Sequence, residues 1–383
     1  MRIGIVSHIA NAKSGARAPM ELAKALAHHG EDVFFYATTC GYDHESVKNL
    51  KDQGVKVRLI ESEDYLFIGK FRSVFRLKNQ LLKDCSEILS LHCTPPFFLG
   101  SMLSRIPTIL TYHGTQFGVL RERLLPYSPL IVLFLPLELF LNFVIWTRNA
   151  IYMWGANRVI AISRYTKNEA RNLYKKSSKV VYWGAKPGHF AIPKSQGKSQ
   201  GKICQLLTVS RFTPYKNFHL LLEIFKNLEK STKIPLRFTI AGSLGSAKYL
   251  EYLKSIAPQN VSFQVNRTDE ELSLLYQQSD IYVTADTYLF FGMPVLEAAS
   301  FGVPVVAYNF GAASELIDNG KTGFVVSTKI GFEKVLRQLV ENKDRREKMS
   351  RLAQEKAQQD FTWEKTAIQY LEIFKKHYKK LSL

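Results

Sequence analysis

The run Arg2-Ile-Gly-Ile-Val6 opens the pattern that decides the fold. A polar loop at residues 7–15 follows it, then a helical apolar stripe that stops at Gly30, then the apolar run Val33-Phe-Phe-Tyr-Ala37. Short apolar runs with β-branched and aromatic residues are typical of buried strands, and the stripe between them is typical of an amphipathic helix. Strand, loop, helix and strand form a β-α-β unit, so the sequence predicts a parallel sheet.

The same alternation restarts after Lys194-Ser-Gln-Gly-Lys-Ser-Gln-Gly-Lys202, a run without apolar residues that we interpret as a linker. A strand at 203–209, a helix at 220–228 and a strand at 236–241 come next. Further short strands are predicted at 261–265, 281–284 and 303–307. We therefore expect an α/β protein with two Rossmann-like, doubly wound domains that face each other across a cleft. Ligands of such sheets bind at the carboxyl ends of the strands.

These patterns predict an N-terminal domain at residues 1–193, a linker at 194–202 and a second domain at 203–364. The last helical stretch, 365–383, is expected to pack back on the first domain. The opening apolar run is too short for a secretory leader, and the four cysteines lack zinc-ligand spacing. Both features favour a reduced, cytoplasmic compartment.

Composition and charge narrow the possible partners. With 46% hydrophobic and 22% charged residues, the chain is not of the disordered class. Its net charge is +19, and residues 1–195 carry 26 basic and 14 acidic residues, a net charge of +12. Such an excess favours polyanions or anionic membrane surfaces. No nucleic-acid recognition module is present, so nucleic acid is not an expected partner.

Common phosphate-binding motifs are missing. No Gly-x-Gly-x-x-Gly sequence occurs, which excludes the usual nicotinamide and flavin fingerprint. The run Gly320-Lys-Thr322 resembles the end of a P-loop, but Glu315 stands where that motif requires its first glycine.

Two other stretches predict a ligand site. In Ser210-Arg-Phe-Thr-Pro-Tyr-Lys-Asn217, Arg211 and Lys216 lie on a loop between a strand and a helix, where a ligand binds in this fold class. In Phe291-Gly-Met-Pro-Val-Leu-Glu-Ala-Ala-Ser300, Gly292 and Pro294 open a helix whose free N–H groups can bind an anion, and Glu297 follows one turn later.

These residues resemble the C-terminal domain of retaining glycosyltransferases of family 4, which have the GT-B fold. Arg211 and Lys216 match the Arg and Lys of that family's first loop, and Gly311-Ala-Ala-Ser-Glu-Leu-Ile317 is similar to its Gly-Gly-x-x-Glu element. The resemblance continues through the Ser14-Gly15 loop, Thr111-Tyr-His-Gly114 and Phe361-Thr-Trp-Glu364, so that it covers nearly the whole chain.

The resemblance implies transfer of a sugar from a nucleotide-diphosphate donor with retention of the anomeric configuration. It also implies a catalytic role for Arg211, Lys216 and His113, the family's histidine near the sugar and the acceptor. Glu297 is expected to hold the ribose hydroxyls, and Glu315 is a second-tier site residue. The donor-binding set that it implies is Gly15, Arg211, Lys216, Phe291, Gly292, Met293, Pro294, Val295, Leu296 and Glu297.

One position departs from the family pattern. Leu289 stands where the family carries the first glutamate of a pair whose second member is Glu297. A leucine cannot accept a hydrogen bond from the donor sugar. An inactive scaffold subunit therefore stays open beside an enzyme.

No metal or other cofactor is expected. The sequence has no Asp-x-Asp motif, and Asp269-Glu-Glu271 reads as the start of a helix. Arg211, Lys216, the N-terminus of the helix that contains Glu297 and backbone N–H groups near Gly15 can together neutralise the departing pyrophosphate.

The acceptor is indicated by two segments. Residues 124–146 are strongly apolar, but three prolines and Glu138 disfavour a membrane span, which leaves a buried helical hairpin or a patch that dips into the membrane interface. Residues 70–83 form a basic amphipathic stripe. Together they favour a membrane-associated glycan or lipid acceptor and a peripheral location at the inner face of the cell membrane. A soluble small-molecule acceptor is the alternative.

Overall fold

The computed structural model describes residues 1–7, 17–61, 67–92, 97–115, 117, 135–185 and 203–381. The chain divides into two compact units: residues 1–115, 145–184 and 363–383 make up the first, and residues 116–144 and 185–362 make up the second. The predicted linker at 194–202 lies outside the described residues.

The first unit is built on a parallel sheet. Its strands are β1 (Arg2–Ser7), β2 (Asp32–Thr38), β3 (Lys56–Ile60), β4 (Ile88–His92), β5 (Thr108–Tyr112), β6 (Arg158–Ala161) and β7 (Lys179–Val180). Their spatial order is β3-β2-β1-β4-β5-β6-β7. The helices up to this point are α1 (Arg17–His28), α2 (His44–Asp52), α3 (Phe67–Lys83), α4 (Phe97–Leu103), α5 (Leu135–Gly155) and α6 (Arg164–Tyr174).

The opening β-α-β unit is confirmed. Strand β1 is buried from Ile3 to Ser7, and Ile3 lies beside Val33 of β2 in parallel register. Leu22 and Leu26 of α1 are fully buried. The apolar runs of both strands and the apolar stripe of the helix are therefore buried, as the hydrophobic effect favours.

The second unit repeats this plan. Its strands are β8 (Cys204–Val209), β9 (Leu236–Gly242), β10 (Val261–Val265), β11 (Ile281–Thr284), β12 (Val305–Tyr308) and β13 (Gly323–Val326), in the spatial order β10-β9-β8-β11-β12-β13. Its helices are α7 (Phe218–Ser231), α8 (Ala247–Ile256), α9 (Asp269–Gln278), α10 (Met293–Ser300), α11 (Ala313–Leu316), α12 (Lys329–Glu341) and α13 (Lys343–Asp360). A last helix, α14 (Trp363–Leu381), belongs to the first unit, where Tyr370 bonds Thr111 of β5 across 2.9 Å between their hydroxyl oxygens.

Both sheets reverse their strand order at one point. In the first unit β1 lies between β2 and β4, and in the second β8 lies between β9 and β11. All these pairs are parallel, so the loops that leave neighbouring strands emerge at the same edge. Doubly wound sheets bind ligands at such a switch point. A ligand site in the second unit is therefore expected at the loops after β8 and β11.

Two sequence expectations about local structure have clear outcomes. The acidic cluster at Asp269 does begin a helix, because Thr268 caps it and the Glu271 side chain accepts the Thr268 N–H at 2.8 Å. The strand predicted at 303–307 is wrong at its start and begins at Val305. The N–H of Val303 donates a hydrogen bond to the carbonyl of Ala298 at 2.8 Å, and the next residue is a proline, which has no N–H.

Helix α3 buries part of its apolar stripe. Val74, Leu77 and Leu81 are at most 2% exposed, whereas Phe75 and Leu82 are 44% and 48% exposed. The apolar stripe of the predicted basic segment at 70–83 is therefore divided, with Val74 and Leu81 in the core and Phe75 and Leu82 at the surface.

Helix α5 is different, because most of the large apolar side chains at residues 135–146 are exposed. Leu139 and Phe140 are each 61% exposed, and Trp154 is 65% exposed. Glu138, near the start of this helix, is an exception, because only 6% of its surface is exposed. The alternative of a buried hairpin is therefore wrong for the described part of the 124–146 segment, residues 135–146. None of the helices within the described ranges has the length and the hydropathy that crossing a membrane requires.

The end of β9 depends on a glycine. Gly242 has φ +150, and a Cβ built on it lies 1.8 Å from the carbonyl oxygen of Ser210 in the loop after β8. Gly320 also has a positive φ, of +80, but a Cβ there meets nothing within 4 Å. We expect Gly242→Ala to lower the free energy of unfolding by about 3–5 kcal/mol through combined overlap and backbone strain. Gly320→Ala should lower it by about 1 kcal/mol. Urea titration of both variants tests this, and equal losses would contradict it.

Candidate functional site

The loop after β8 is held in place on both sides of Arg211. The N–H of Ser210 donates to Ala241 of β9, and the N–H of Phe212 donates to Ser243, each at 2.9 Å. Phe212 is fully buried, while Arg211 is exposed. Arg211 makes no ion pair with a residue in the described ranges, so its guanidinium is available to an anion at the edge of the sheet.

Lys216 ends a short 3₁₀ turn in the same loop, at Pro214–Lys216. Its ammonium group forms an ion pair with Asp286, which follows β11, and lies 5.2 Å from the centre of the Tyr215 ring. The side chains of Lys216 and Asp286 are only 15% and 9% exposed. This pair joins the two loops that leave the switch point.

Other contacts lock the same two loops together. Thr287 donates its hydroxyl to the carbonyl of Tyr215 at 3.1 Å, and the Asn217 side chain donates to the carbonyl of Ala285 at 3.0 Å. The rings of Tyr215 and Tyr288 meet edge to face, 5.6 Å apart. Arg211, Lys216 and Asp286 therefore lie on one preorganised surface.

The charge of this surface differs from the sequence expectation. Arg211 and Lys216 were predicted to neutralise a departing pyrophosphate together, and in the structure Lys216 is balanced by Asp286. Sequence reasoning missed Asp286. The available signal was its position directly after a buried strand, since polar residues at strand ends are the site residues of this fold class.

Helix α10 offers less to an anion than predicted. Gly292 is its N-cap with φ +106, and the amides of Val295 and Leu296 already donate to the Gly292 carbonyl at 3.0 and 3.1 Å. Pro294 has no N–H. The amide of Met293 is thus the one in this first turn without a hydrogen-bond partner in the part of the chain that the structure describes.

Several predicted donor-binding residues belong to the core. Phe291, Val295 and Leu296 are at most 3% exposed. Any contact that they make to a donor must therefore come from the backbone.

Glu297 is also buried, with 5% exposed. Its carboxylate accepts a hydrogen bond from the Tyr276 hydroxyl at 3.0 Å, and the Tyr276 ring stacks on Phe301 at 5.4 Å. This hydrogen bond offsets part of the free-energy cost of burying a carboxylate. The structure thus fixes the orientation of Glu297 beneath the start of α10.

Leu289 fills the position of the missing carboxylate with apolar contacts. It is 5% exposed, and a Cβ added to Gly292 lies 3.1 Å from Leu289 and from Leu316 of α11. Its carbonyl accepts the N–H of Ala312 at 2.8 Å. Gly311 has φ +56, and a Cβ there lies 2.1 Å from that carbonyl oxygen, so the turn that leads to Glu315 packs directly on this loop. Glu315 itself is half-buried on the four-residue helix α11.

In the first unit, His113 follows β5 at the carboxyl edge of the sheet. Its ring centre lies 5.5 Å from that of His92, at the end of neighbouring β4, and 5.0 Å from that of Trp183. Its Nε2 atom is enclosed and has no hydrogen-bond partner in the described ranges. Burial lowers the pKa of His113 to about 4. The imidazole is therefore neutral at pH 7.

His92 is a neighbour that sequence reasoning missed. Burial, with a smaller contribution from a charge on His113, holds the pKa of His92 well below its usual value. Its Nε2 lies 3.0 Å from the Ser90 hydroxyl and 3.4 Å from that of Thr111. The pairing of β4 with β5 brings the two histidines together, and that pairing is invisible in local sequence patterns.

The chain on either side of His113 is anchored by one carboxylate. The Tyr112 hydroxyl and the Thr115 N–H both donate to Glu169, each at 2.7 Å. Burial raises the pKa of Glu169. His113 and Gly114 are thus held between two fixed residues.

Two further sequence predictions concern Gly15 and the binding of a metal ion. Gly15, predicted to contact phosphates, lies outside the described residues. Within the described ranges, no three His, Cys, Asp or Glu side chains lie close enough together to hold a metal ion.

The depressed histidine pKa gives a test of the first-unit site. Unfolded chains protonate histidine near its ordinary pKa of 6.5, whereas folded His113 resists protonation down to about 4. Its contribution to stability is therefore complete above pH 6.5 and is lost as the pH falls to about 4. We expect His113→Gln to flatten the pH dependence of the free energy of unfolding in this window, by up to about 1.4 kcal/mol per pH unit. Urea titrations at several pH values measure it, with His29→Gln as the surface control. An unchanged slope would contradict the burial argument.

Comparisons with known proteins come to the same family. The model described as Glycosyltransferase Family 4 matches residues 15–185, and the model described as Glycosyl transferases group 1 matches residues 190–356. D-rhamnosyltransferase WbpZ of Pseudomonas aeruginosa is 25% identical over 311 residues, which cover 76% of this chain and 73% of that protein.

Solved structures share the fold. HepE from Anabaena, crystallised with UDP and glucose, has a TM-score of 0.74 at 16% identity and covers 98% of this chain and 100% of its own. Sucrose-phosphate synthase from Thermosynechococcus elongatus has a TM-score of 0.77 at 15% identity and covers 99% of this chain and 100% of its own. Since the two family models together run from residue 15 to residue 356, the chain belongs to the group 1 glycosyltransferases and has their GT-B fold.

Proposed function

We propose that this glycosyltransferase moves a sugar from a nucleotide-diphosphate donor to a membrane-associated glycan or lipid acceptor, with retention and without a divalent metal. The observation that carries the donor half of the proposal is the pair of cations, Arg211 and Lys216, on the loop after β8. That loop lies at the switch point of the second sheet, where this fold class binds its ligands.

The proposed chemistry follows from the charge that develops during transfer. Cleavage of the glycosyl–phosphate bond leaves a nucleoside diphosphate with negative charge on its oxygens. Arg211 can bind two of these oxygens at once, Lys216 can add a point charge, and the Met293 amide can donate a third contact. Groups fixed in advance in this way stabilise the leaving group more than mobile water does.

The nature of the donor is supported by comparison. HepE, of the same fold, was crystallised with UDP and glucose. A nucleotide sugar is therefore the donor class that we propose here.

His113 is proposed to handle the proton of a reacting hydroxyl. Burial keeps the His113 ring neutral at pH 7, and a neutral imidazole can accept a hydrogen bond or a proton from that hydroxyl. Retention rests on the family resemblance, since the positions of Arg211, Lys216, Glu297 and His113 match that family.

The membrane-associated acceptor is supported by helix α5. Its exposed leucine and phenylalanine side chains form an apolar surface that water solvates poorly, and a bilayer interface accepts such surfaces. The net charge of +12 over residues 1–195 adds attraction to anionic lipid. We propose a peripheral location at the inner face of the membrane on these two grounds.

A soluble acceptor is the second candidate. It is favoured by the structural similarity to sucrose-phosphate synthase, whose name denotes a soluble sugar phosphate as its product. Membrane binding distinguishes the two. A silent scaffold, suggested by Leu289, is distinguished by slow donor hydrolysis, which an active enzyme shows and a scaffold lacks.

The cationic loop predicts a specific loss. Arg211→Ala should lower turnover by about 10²–10³-fold at unchanged stability, the scale for losing one transition-state donor. Lys216→Ala should lower turnover as much, and also lower the free energy of unfolding by about 1–3 kcal/mol, because Asp286 is left buried and unpaired. Donor-hydrolysis rates and urea titrations measure both effects. Lys321→Ala, on the exposed Gly320 turn, is the charge-matched control. Wild-type turnover in the Arg211 and Lys216 variants would contradict the proposal.

Helix α5 predicts a membrane phenotype. The double variant Leu139→Ser/Phe140→Ser should bind less to vesicles that contain anionic phospholipid, because these two side chains, each 61% exposed, are among the most exposed apolar groups of the helix. Flotation of the full-length protein with vesicles measures the bound fraction. Ile330→Ser, at a residue 79% exposed on α12, is the matched control. Equal flotation of the wild type and the double variant, or none by the wild type, would contradict this part of the proposal.

A further inference from the structure

Asp286 is a negatively charged residue in a site that is proposed to bind the negatively charged diphosphate of the donor. Its carboxylate pairs with Lys216, and the side chain is 9% exposed. Between residues 281 and 297 the only acidic residues are Asp286 and Glu297, and Glu297 is turned toward Tyr276. Asp286 is therefore the carboxylate that any phosphate meets when it approaches Lys216.

The structure holds this carboxylate in place. Its Oδ1 accepts the N–H of Tyr288 at 2.9 Å, and its own N–H donates to the Thr284 hydroxyl at 3.4 Å. On the other side, Lys216 is fixed by the 3₁₀ turn and by the ring of Tyr215 beneath it. Neither partner can leave the other by swinging into solvent without breaking these contacts.

We propose that Asp286 is a positioning and affinity-determining residue that competes with the donor's pyrophosphate for Lys216. An ammonium group has three N–H donors, so Lys216 can keep one bond to Asp286 and offer the others to phosphate oxygens. The fixed negative charge of Asp286 repels the same oxygens. Asp286 thus presents Lys216 in the right place, weakens the grip on the released nucleoside diphosphate and restores the ion pair after each turnover.

This inference rests on the proposed function, because it assumes that pyrophosphate reaches Lys216. It predicts the direction in which anion affinity changes when Asp286 is removed. If Asp286 only supported the loop, its removal would loosen Lys216 and weaken anion binding. If Asp286 competes with the anion, its removal strengthens anion binding, because a nearby like charge disappears and Lys216 gains a free N–H.

The experiment measures inorganic pyrophosphate binding by calorimetry, since this probe needs no knowledge of the base or the sugar. Asp286→Asn keeps the acceptor for the Tyr288 N–H and removes the charge. We expect it to bind pyrophosphate about five- to twentyfold more tightly than the wild type, the range for a partly screened neighbouring charge. Kinetically, the donor KM should fall, and inhibition by a nucleoside diphosphate such as UDP should become stronger, while kcat falls because release is slower.

A double-mutant cycle isolates the route of the effect. Lys216→Met should weaken pyrophosphate binding, and the gain from Asp286→Asn should become smaller in that background, because the share that comes from the freed Lys216 N–H is lost while the removal of the like charge still acts. Asp286→Ser also removes the negative charge, and it serves as a second variant in case the asparagine side chain disturbs the fold.

The outcomes separate the two proposals. Weaker or unchanged pyrophosphate binding by Asp286→Asn and Asp286→Ser, together with a loss in Lys216→Met, overturns the inference and leaves the proposed function standing. Pyrophosphate binding that is equal in the wild type, Lys216→Met and Arg211→Ala overturns the proposed function itself.

Discussion

The joining of two loops at the switch point of the second sheet is the constraint on which the candidate site depends. Strands β8 and β11 are parallel neighbours, so the chain leaves both at the same edge. Lys216 and Asp286 connect the two loops by charge, and Asn217 and Thr287 connect them through backbone carbonyls. Because both polar and apolar contacts fix this surface, its charges are oriented before any ligand arrives, which is the condition for strong electrostatic stabilisation.

The structure also changes what the charges can do. A free lysine beside a free arginine would hold a pyrophosphate tightly and release it slowly. With Lys216 paired, Arg211 is the exposed cation and Lys216 is a shared one. Under the inference drawn above, Asp286 offsets part of the charge of Lys216 and so weakens its attraction for the released diphosphate. In the first unit the corresponding property is neutrality, since burial keeps His113 uncharged at pH 7.

The sequence could predict the elements whose cause is local. Apolar runs at Arg2–Ser7 and Leu236–Gly242 became strands, and the Thr268 cap began a helix, because each depends on residues close together in the chain. The position of Arg211 and Lys216 at a strand end was predictable for the same reason. The ion pair with Asp286 was not, because it depends on β8 and β11 being neighbours, 70 residues apart at the contact. The approach of His92 to His113 was hidden in the same way. Helix α5 shows a different limit: an apolar stretch indicates a need for an apolar environment, but not whether the core or a membrane supplies it.

The most direct test of the central claim is a crystal structure of the protein with a bound nucleoside diphosphate, selected by thermal shift and grown in EDTA. The account predicts that the diphosphate oxygens lie about 3 Å from the Arg211 guanidinium and the Lys216 ammonium, with no metal ion between the phosphates. Diphosphate oxygens bound away from the loop after β8, or binding that appears only when magnesium or manganese is restored, would contradict it.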